Sequence, residues 1–253
     1  MPNRTLRGFT RCTSNQAERR GAERGREHFL ITDQAGGVRV MHAYFEIDDS
    51  PNVVRDEMLA LGPQGHRLDA VVRVTGDNRF EGGGFFRLTE RMAEDKVFNR
   101  SASRSSQRIE LAEPLCALGV HPICGHALML HSYGLSQGAR RRFFPNLMQT
   151  SPDHSRATGP ALYALGFGLE LVGRVTVTVA AGRFDALHFR FTDTAGQLPQ
   201  EHPPYDMWRT ADGDYLYLKG RAGRYMPTRY ELVEIDGLVA HALTTAGAAG
   251  VPA

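Results

Sequence analysis

The sequence predicts a mostly β protein, a single antiparallel curved sheet forming a half-barrel or open barrel wrapped around a short helical or loop segment. Three observations carry this. Residues 171–235 hold two consecutive hairpins in which apolar and polar side chains alternate at period two. Almost every stretch after residue 27 reads as strand, turn, strand. Helix signals are confined to 115–135, LCALGVHPICGHALMLHSYGL, where Gly119, Pro122, Gly125 and Gly134 leave room for one short helix around 123–131.

Taken in order, residues 1–26 carry Arg4, Arg7, Arg11, Arg19, Arg20, Arg24 and Arg26 against Glu18 and Glu23, with few apolar side chains. This composition predicts a flexible Arg-rich leader. It lacks the apolar core of a secretory signal, which predicts a cytoplasmic protein. GVRVMHAYFEID at 37–48 alternates, with Val38, Val40, His42, Tyr44 and Glu46 on one side and Arg39, Met41, Ala43, Phe45 and Ile47 on the other. VVRDEMLAL at 53–61 and HRLDAVVRV at 66–74 flank the turn GPQG. In RFEGGGFFRLTERM, Gly82, Gly83 and Gly84 predict a bulge or sharp bend. Residues 151–168 are turn-rich, then apolar, and read as a crossover to the final hairpins. A single β domain over 27–237 and a frayed tail over 238–253 complete the expected organisation.

Composition narrows the function classes. The 253 residues are 42% hydrophobic, and no run approaches the roughly 18 apolar residues of a membrane helix, so no membrane span is expected. Thirty Lys and Arg balance 28 Asp and Glu, and Lys96 and Lys219 are the only lysines. No nucleic-acid partner is expected from so small a net charge, the Arg-rich leader as a basic arm being the minor alternative. Cys12, Cys116 and Cys124 are an odd number, in keeping with free thiols in a reducing compartment.

The hairpins define two faces. Val175, Val177 and Val179 oppose Arg174, Thr176 and Thr178, and after the turn Leu187, Phe189 and Phe191 oppose His188, Arg190 and Thr192. In the second hairpin ADGD supplies the turn, Asp206 shares a face with Trp208, and Tyr215, Tyr217 and Lys219 lie together. If the strands are neighbours, His188, Arg190, Asp206, Trp208, Tyr215, Tyr217 and Lys219 converge on one surface. Curling of the sheet is expected to make that surface a pocket with aromatic walls and a few polar groups. The bland alternative is a solvated outer face.

The order of V-x-V-x-V strand, AGRF, strand, Trp-bearing strand, D-G turn and closing TRYEL, matched by Val175 to Phe184, Tyr205 to Tyr217 and Thr228 to Leu232, resembles the bacterial DUF3108-type half-barrel proteins. The resemblance covers the last third of the chain. It implies a long antiparallel sheet curled around a helical or loop segment with an open hydrophobic interior, and it carries over no catalytic residues.

Other chemistries find little support. Cys116, His121, Cys124, His126 and His131 are the densest group of potential ligands, but Cys116 and Cys124 are too far apart for a C-x₂₋₄-C pair and His126 and His131 do not share a helix face. No metal is therefore expected. There is no G-x-S-x-G elbow, G-x-G-x-x-G or P-loop, so no cofactor is expected. The leading expectation is a cofactor-independent isomerase, hydratase or lyase acting on a bulky hydrophobic small molecule. His188 would be its base, Tyr217 its acid, Arg190 and Lys219 its anion stabilisers, and Trp208, Asp206 and Tyr215 its substrate contacts. The alternative is a non-catalytic lipid or apolar-ligand binding protein using the same cavity.

Overall fold

The computed structural model describes residues 3–50, 52–100, 103–135, 140–153, 157–196, 202–223 and 228–238. A meander of β1 (Arg4–Ser14), β2 (Glu23–Asp33), β3 (Arg39–Ile47), β4 (Val53–Leu61), β5 (Arg67–Gly76), β6 (Arg79–Leu88) and β7 (Met92–Asn99) ends in the short β8 (Ser103–Ser105) and β9 (Arg108–Glu110), which both pair with β7. β10 (Ala117–Gly119) leads into α1 (Ile123–Met129), which tightens into a 3-10 turn over Leu130–Tyr133. Then follow β11 (Arg141–Gln149), β12 (Tyr163–Val179), β13 (Gly182–Gly196), β14 (Tyr205–Thr210), β15 (Tyr217–Ala222) and β16 (Thr228–Asp236). β16 pairs antiparallel with β1, so both halves belong to one open curved sheet running from β10 through β16 and β1 to β8. Among the described residues only β10 and β11 pair in parallel. No helix among the described residues is long and apolar enough to cross a membrane.

The expected flexible leader is corrected: β1 and β2 lie in the middle of the sheet. β1 alternates as a strand should, but its inward residues are Leu6, Gly8, Thr10, Cys12 and Ser14, mostly small or polar, while Arg7 and Arg11 face solvent. Period two is present without hydropathy contrast, so composition hid it. The 141–149 region, given no element from sequence, forms β11, and β12 begins at Tyr163 inside the expected crossover. The expected tail beyond residue 238 lies outside the described residues.

α1 is what the sheet curls around. Cys124 and Leu128, one turn apart, pack with Leu6, Phe29, Met41 and Val72 of the meander. Ile123, Ala127 and Leu130 pack with Phe189, Met207 and Tyr217 of the later strands. A helix apolar on every side but that of His126 suits such a position. Its first amides are satisfied from the sheet: the fully buried Glu27 carboxylate accepts the Ile123 N–H and, at 2.8 Å, the Cys124 N–H. Other buried charged groups also find hydrogen bonds. Arg55 donates to Glu57 and to Thr150, and Asp95 accepts the Gln107 N–H at 2.8 Å and the Leu162 N–H at 3.2 Å. Burial nevertheless raises the Asp95 pKa above the usual carboxylate range.

Gly82 shows why the glycine run matters. A Cβ there would lie 2.6 Å from Pro160 Cδ and 2.9 Å from the Phe98 carbonyl, so only glycine lets the 157–162 segment cross this strand. The register between β5 and β6 shifts at the same place, as a bulge requires.

Candidate functional site

Across β13, β14 and β15 the register sets His188, Trp208 and Lys219 in one row and Arg190, Asp206 and Arg221 in the next. The His188 ring stacks on Trp208 at 4.1 Å, and Lys219 Nζ lies 4.9 Å from the indole centroid. Asp206 holds the group together. It is bound by His188 Nε2 at 2.8 Å and Arg190 Nε at 3.0 Å, with an Arg221 nitrogen at 3.6 Å. Five of the seven residues expected to converge therefore do so: His188, Arg190, Asp206, Trp208 and Lys219.

Tyr215 and Tyr217 do not. Tyr215 sits at the end of the turn with φ +53, outside the strand, and stacks on His131 at 4.9 Å. Between Trp208 and Arg209 the pairing slips, so that Lys219 faces Trp208 but Tyr217 faces Arg209. The bulge places two consecutive residues, Tyr217 and Leu218, in the interior, both fully buried. Strict alternation from Lys219 assigns Tyr217 to the wrong face.

The curvature is also opposite to that expected. Leu187, Phe189, Met207 and Tyr217 share a core cluster with α1, so theirs is the concave side, and His188, Arg190 and Asp206 turn to the convex side, where Trp208 packs against the cluster that holds Val177, Val179 and Ala186. The Arg190 row continues through Glu170 to Arg141, a run of alternating charge typical of a solvated sheet face. The concave side has polar groups of its own that sequence reasoning did not assemble. Tyr205 OH lies 2.8 Å from Tyr217 OH and 3.1 Å from His126 Nδ1. Gly220 makes room for the two hydroxyls, since a Cβ there would overlap the Tyr217 oxygen. Burial and the neighbouring Tyr205 push the Tyr217 pKa well above its ordinary value, so it is held as a phenol.

The two ends of β14 differ. At its start pairing stops at Phe191 and Tyr205, while β13 runs on beside β12. The gap is a half-open cleft of about 340 Å³ lined by Phe191, Pro203 and Pro204 together with Arg141, Arg190 and His202. Phe191 and His202 rings are 5.3 Å apart, and Tyr205 meets Phe191 edge-on at 5.2 Å, linking the cleft floor to the internal hydroxyls. At the far end Arg209 lies over Tyr215 at 4.2 Å, and the buried Arg67 donates to the Gly65 carbonyl and Ser132. Burial lowers the Arg67 pKa to about 10. Burial and the charges of Arg67, Arg39 and Arg209 lower that of His131.

The candidate ligands in the middle of the chain diverge. Cys116 Sγ meets the Asn146 carbonyl at 3.2 Å, His121 the Ser151 carbonyl at 3.1 Å, His126 turns to Tyr205 and His131 to Tyr215. Among the described residues no three His, Cys, Asp or Glu side chains form a group that could hold a metal ion. Burial pushes the Cys116 thiol up to about 11 and the Cys124 thiol, beside Glu27, well above its ordinary value, so both are held protonated.

No protein-family model and no curated protein sequence matches the chain. Among solved structures it is similar to the β-barrel-like protein of a domain of unknown function, DUF1849, from Brucella abortus, with a TM-score of 0.60 and 12% identity over 93% of this chain and 98% of that one. It is more distantly similar to a DUF1089 family protein from Pseudomonas aeruginosa, with a TM-score of 0.44 and 13% identity over 76% of this chain and 86% of that one. A protein with a YmcC-like fold from Bacteroides fragilis gives a TM-score of 0.34 and 12% identity over 91% and 95%. The fold is thus β-barrel-like. The DUF3108-type resemblance reduces to this coarser likeness to bacterial β half-barrel domains of unknown function.

Proposed function

We propose that the protein is a binding domain for an amphipathic small molecule, an apolar body bearing an acidic group, held in the cleft beside Phe191. The observation that carries this reading is the cleft itself. Its volume of about 340 Å³ falls in the range of small-molecule sites, and Phe191, Pro203 and Pro204 line it together with Arg141, Arg190, His202 and Asp193, the carboxylate of the last being taken by Arg141. Arg190 and Arg141 are held by Asp206 and Asp193, so their guanidinium positions are set before any ligand arrives. Dodecanoate is a suitable probe, because Trp208, the only tryptophan, lies one strand from Arg190 and reports by fluorescence. Saturable quenching is expected, weakened about tenfold or more in Arg141→Gln/Arg190→Gln, since charge-assisted hydrogen bonds contribute about 1.5–3 kcal/mol. An unchanged signal with dodecanoate, together with native mass spectrometry showing no co-purifying small molecule, sinks the reading.

A second reading, cofactor-independent acid–base turnover of a small molecule bound beside Trp208, is favoured by one specific contact. His188 is oriented by Asp206 at 2.8 Å, the arrangement of a base and its positioning carboxylate. Lys219, across Trp208, is the proton donor on that face in place of the inward-facing Tyr217. His188→Gln should then abolish turnover while leaving dodecanoate affinity intact, and a variant with full turnover removes this reading.

A further inference from the structure

The meander carries an exposed apolar surface on its convex side. In one row of the register Met58, Val71 and Phe85 stand side by side across β4, β5 and β6, 41%, 41% and 46% exposed. In the next row Tyr44 and Phe98 are 42% and 61% exposed, and Phe80 is 47% exposed beside Gly83. Half-exposed aromatic side chains of about 200 Å² each give this patch on the order of 500 Å², near the upper limit for a monomer surface. Cations stand in the same rows. Arg73, between Asp56 and Gly83, lies over the Phe80 ring at 5.8 Å, while Lys96 opposite Phe85 and Arg104 opposite Phe98 end the two rows. Among the described residues none of these three cations has an ion-pair partner, while the intervening Asp56 is taken by His42 at 2.8 Å.

We propose that this face, from β4 to β8, docks on an anionic lipid bilayer. Protruding phenylalanines flanked by Arg and Lys match an interface whose surface is negative and whose interior, a few ångströms down, is hydrocarbon. Other occupants fit less well. A second copy related by a two-fold axis would set a face carrying Arg73, Lys96 and Arg104 against an identical one, in which Asp56 is taken by His42 and Glu94 by Arg108, leaving Asp69 to balance the three cations. A nucleic-acid strand is tracked by a charged groove, and this face is convex. The inference is independent of the cleft, which lies on the other half of the sheet.

The test is co-sedimentation of the full chain with vesicles of phosphatidylcholine alone and of phosphatidylcholine mixed with phosphatidylglycerol. Binding to the mixed vesicles is expected, falling as salt is raised. Arg73→Gln/Lys96→Gln/Arg104→Gln should weaken it roughly a hundredfold, because each Lys or Arg near such a surface contributes several-fold. Phe85→Ser/Phe98→Ser should abolish it. All five positions are exposed, and an unchanged thermal midpoint certifies that the variants fold. The proposal is overturned by failure to bind phosphatidylglycerol vesicles, or by binding that neither variant alters. It is equally overturned if sedimentation equilibrium gives a dimer that the phenylalanine variant dissociates, or if a single-stranded oligonucleotide binds through the same residues. Dodecanoate binding in the cleft should be the same in parent and variants, so loss of one activity does not mimic loss of the other.

Discussion

The two halves of the sheet follow different rules. In the meander, β2, β3 and β4 pair through nine consecutive residues at each seam without a slip, and the shifts of the β1–β2, β4–β5 and β5–β6 seams fall near strand ends, so inward and outward side chains alternate through most of each strand. In the later half the β11–β12, β12–β13 and β14–β15 seams all contain register shifts. Each shift re-aims side chains, and that half contains the cleft, the Tyr205–Tyr217 hydroxyl pair and the Asp206 cluster. Register kept through mid-strand gives the meander one apolar inner face and one outer face. Irregular pairing gives the later strands pockets and buried polar contacts.

The largest effect is expected where the halves are joined. Glu27→Ala leaves two buried amides of α1 unsatisfied and should cost about 3 kcal/mol in urea unfolding. Glu27→Gln, which keeps an acceptor, should cost less, and equal losses would mean that α1 does not depend on this carboxylate. Next, Gly220→Ala drives a methyl into the Tyr217 hydroxyl and should cost about 1–3 kcal/mol. A neutral result would place Tyr217 away from β15's inner surface.

A smaller effect should appear with pH at the junction of α1 and the turn bearing Tyr215. His131 has a native pKa below the value near about 6.5 of the unfolded chain, so between the two the unfolded state holds more protons. Its contribution to stability is therefore complete above the unfolded pKa, falls as pH drops through that window, and levels off below the native pKa. His131→Phe, which keeps the stack on Tyr215, should flatten the stability profile in that window, and an unaltered slope would remove His131 as its source. Least of all, Arg174→Gln breaks a solvent-exposed pair with Asp185 and should leave the thermal midpoint unchanged.

Much of this was legible beforehand because period two survives in sequence. β3 buries Met41, Ala43 and Phe45 and turns His42 and Tyr44 outward, as its alternation predicts. His188, Arg190, Asp206, Trp208 and Lys219 share one face for the same reason. β1 escaped because small inward side chains leave no hydropathy contrast. Tyr217 escaped because a bulge resets parity, and no residue in YLYLKG announces it. His126 and Tyr205, 79 positions apart, touch only because α1 is seated against β14 and β15.

The sequence by itself determined which side chains travel together, since strand geometry alternates them whatever the rest of the chain does. Only the tertiary structure decided which of the two faces is concave. The direction of curling is set by which face buries α1, a contact between distant segments. It put the apolar side within, left His188 and its neighbours on the convex side, and opened a cleft where β13 outruns its partner.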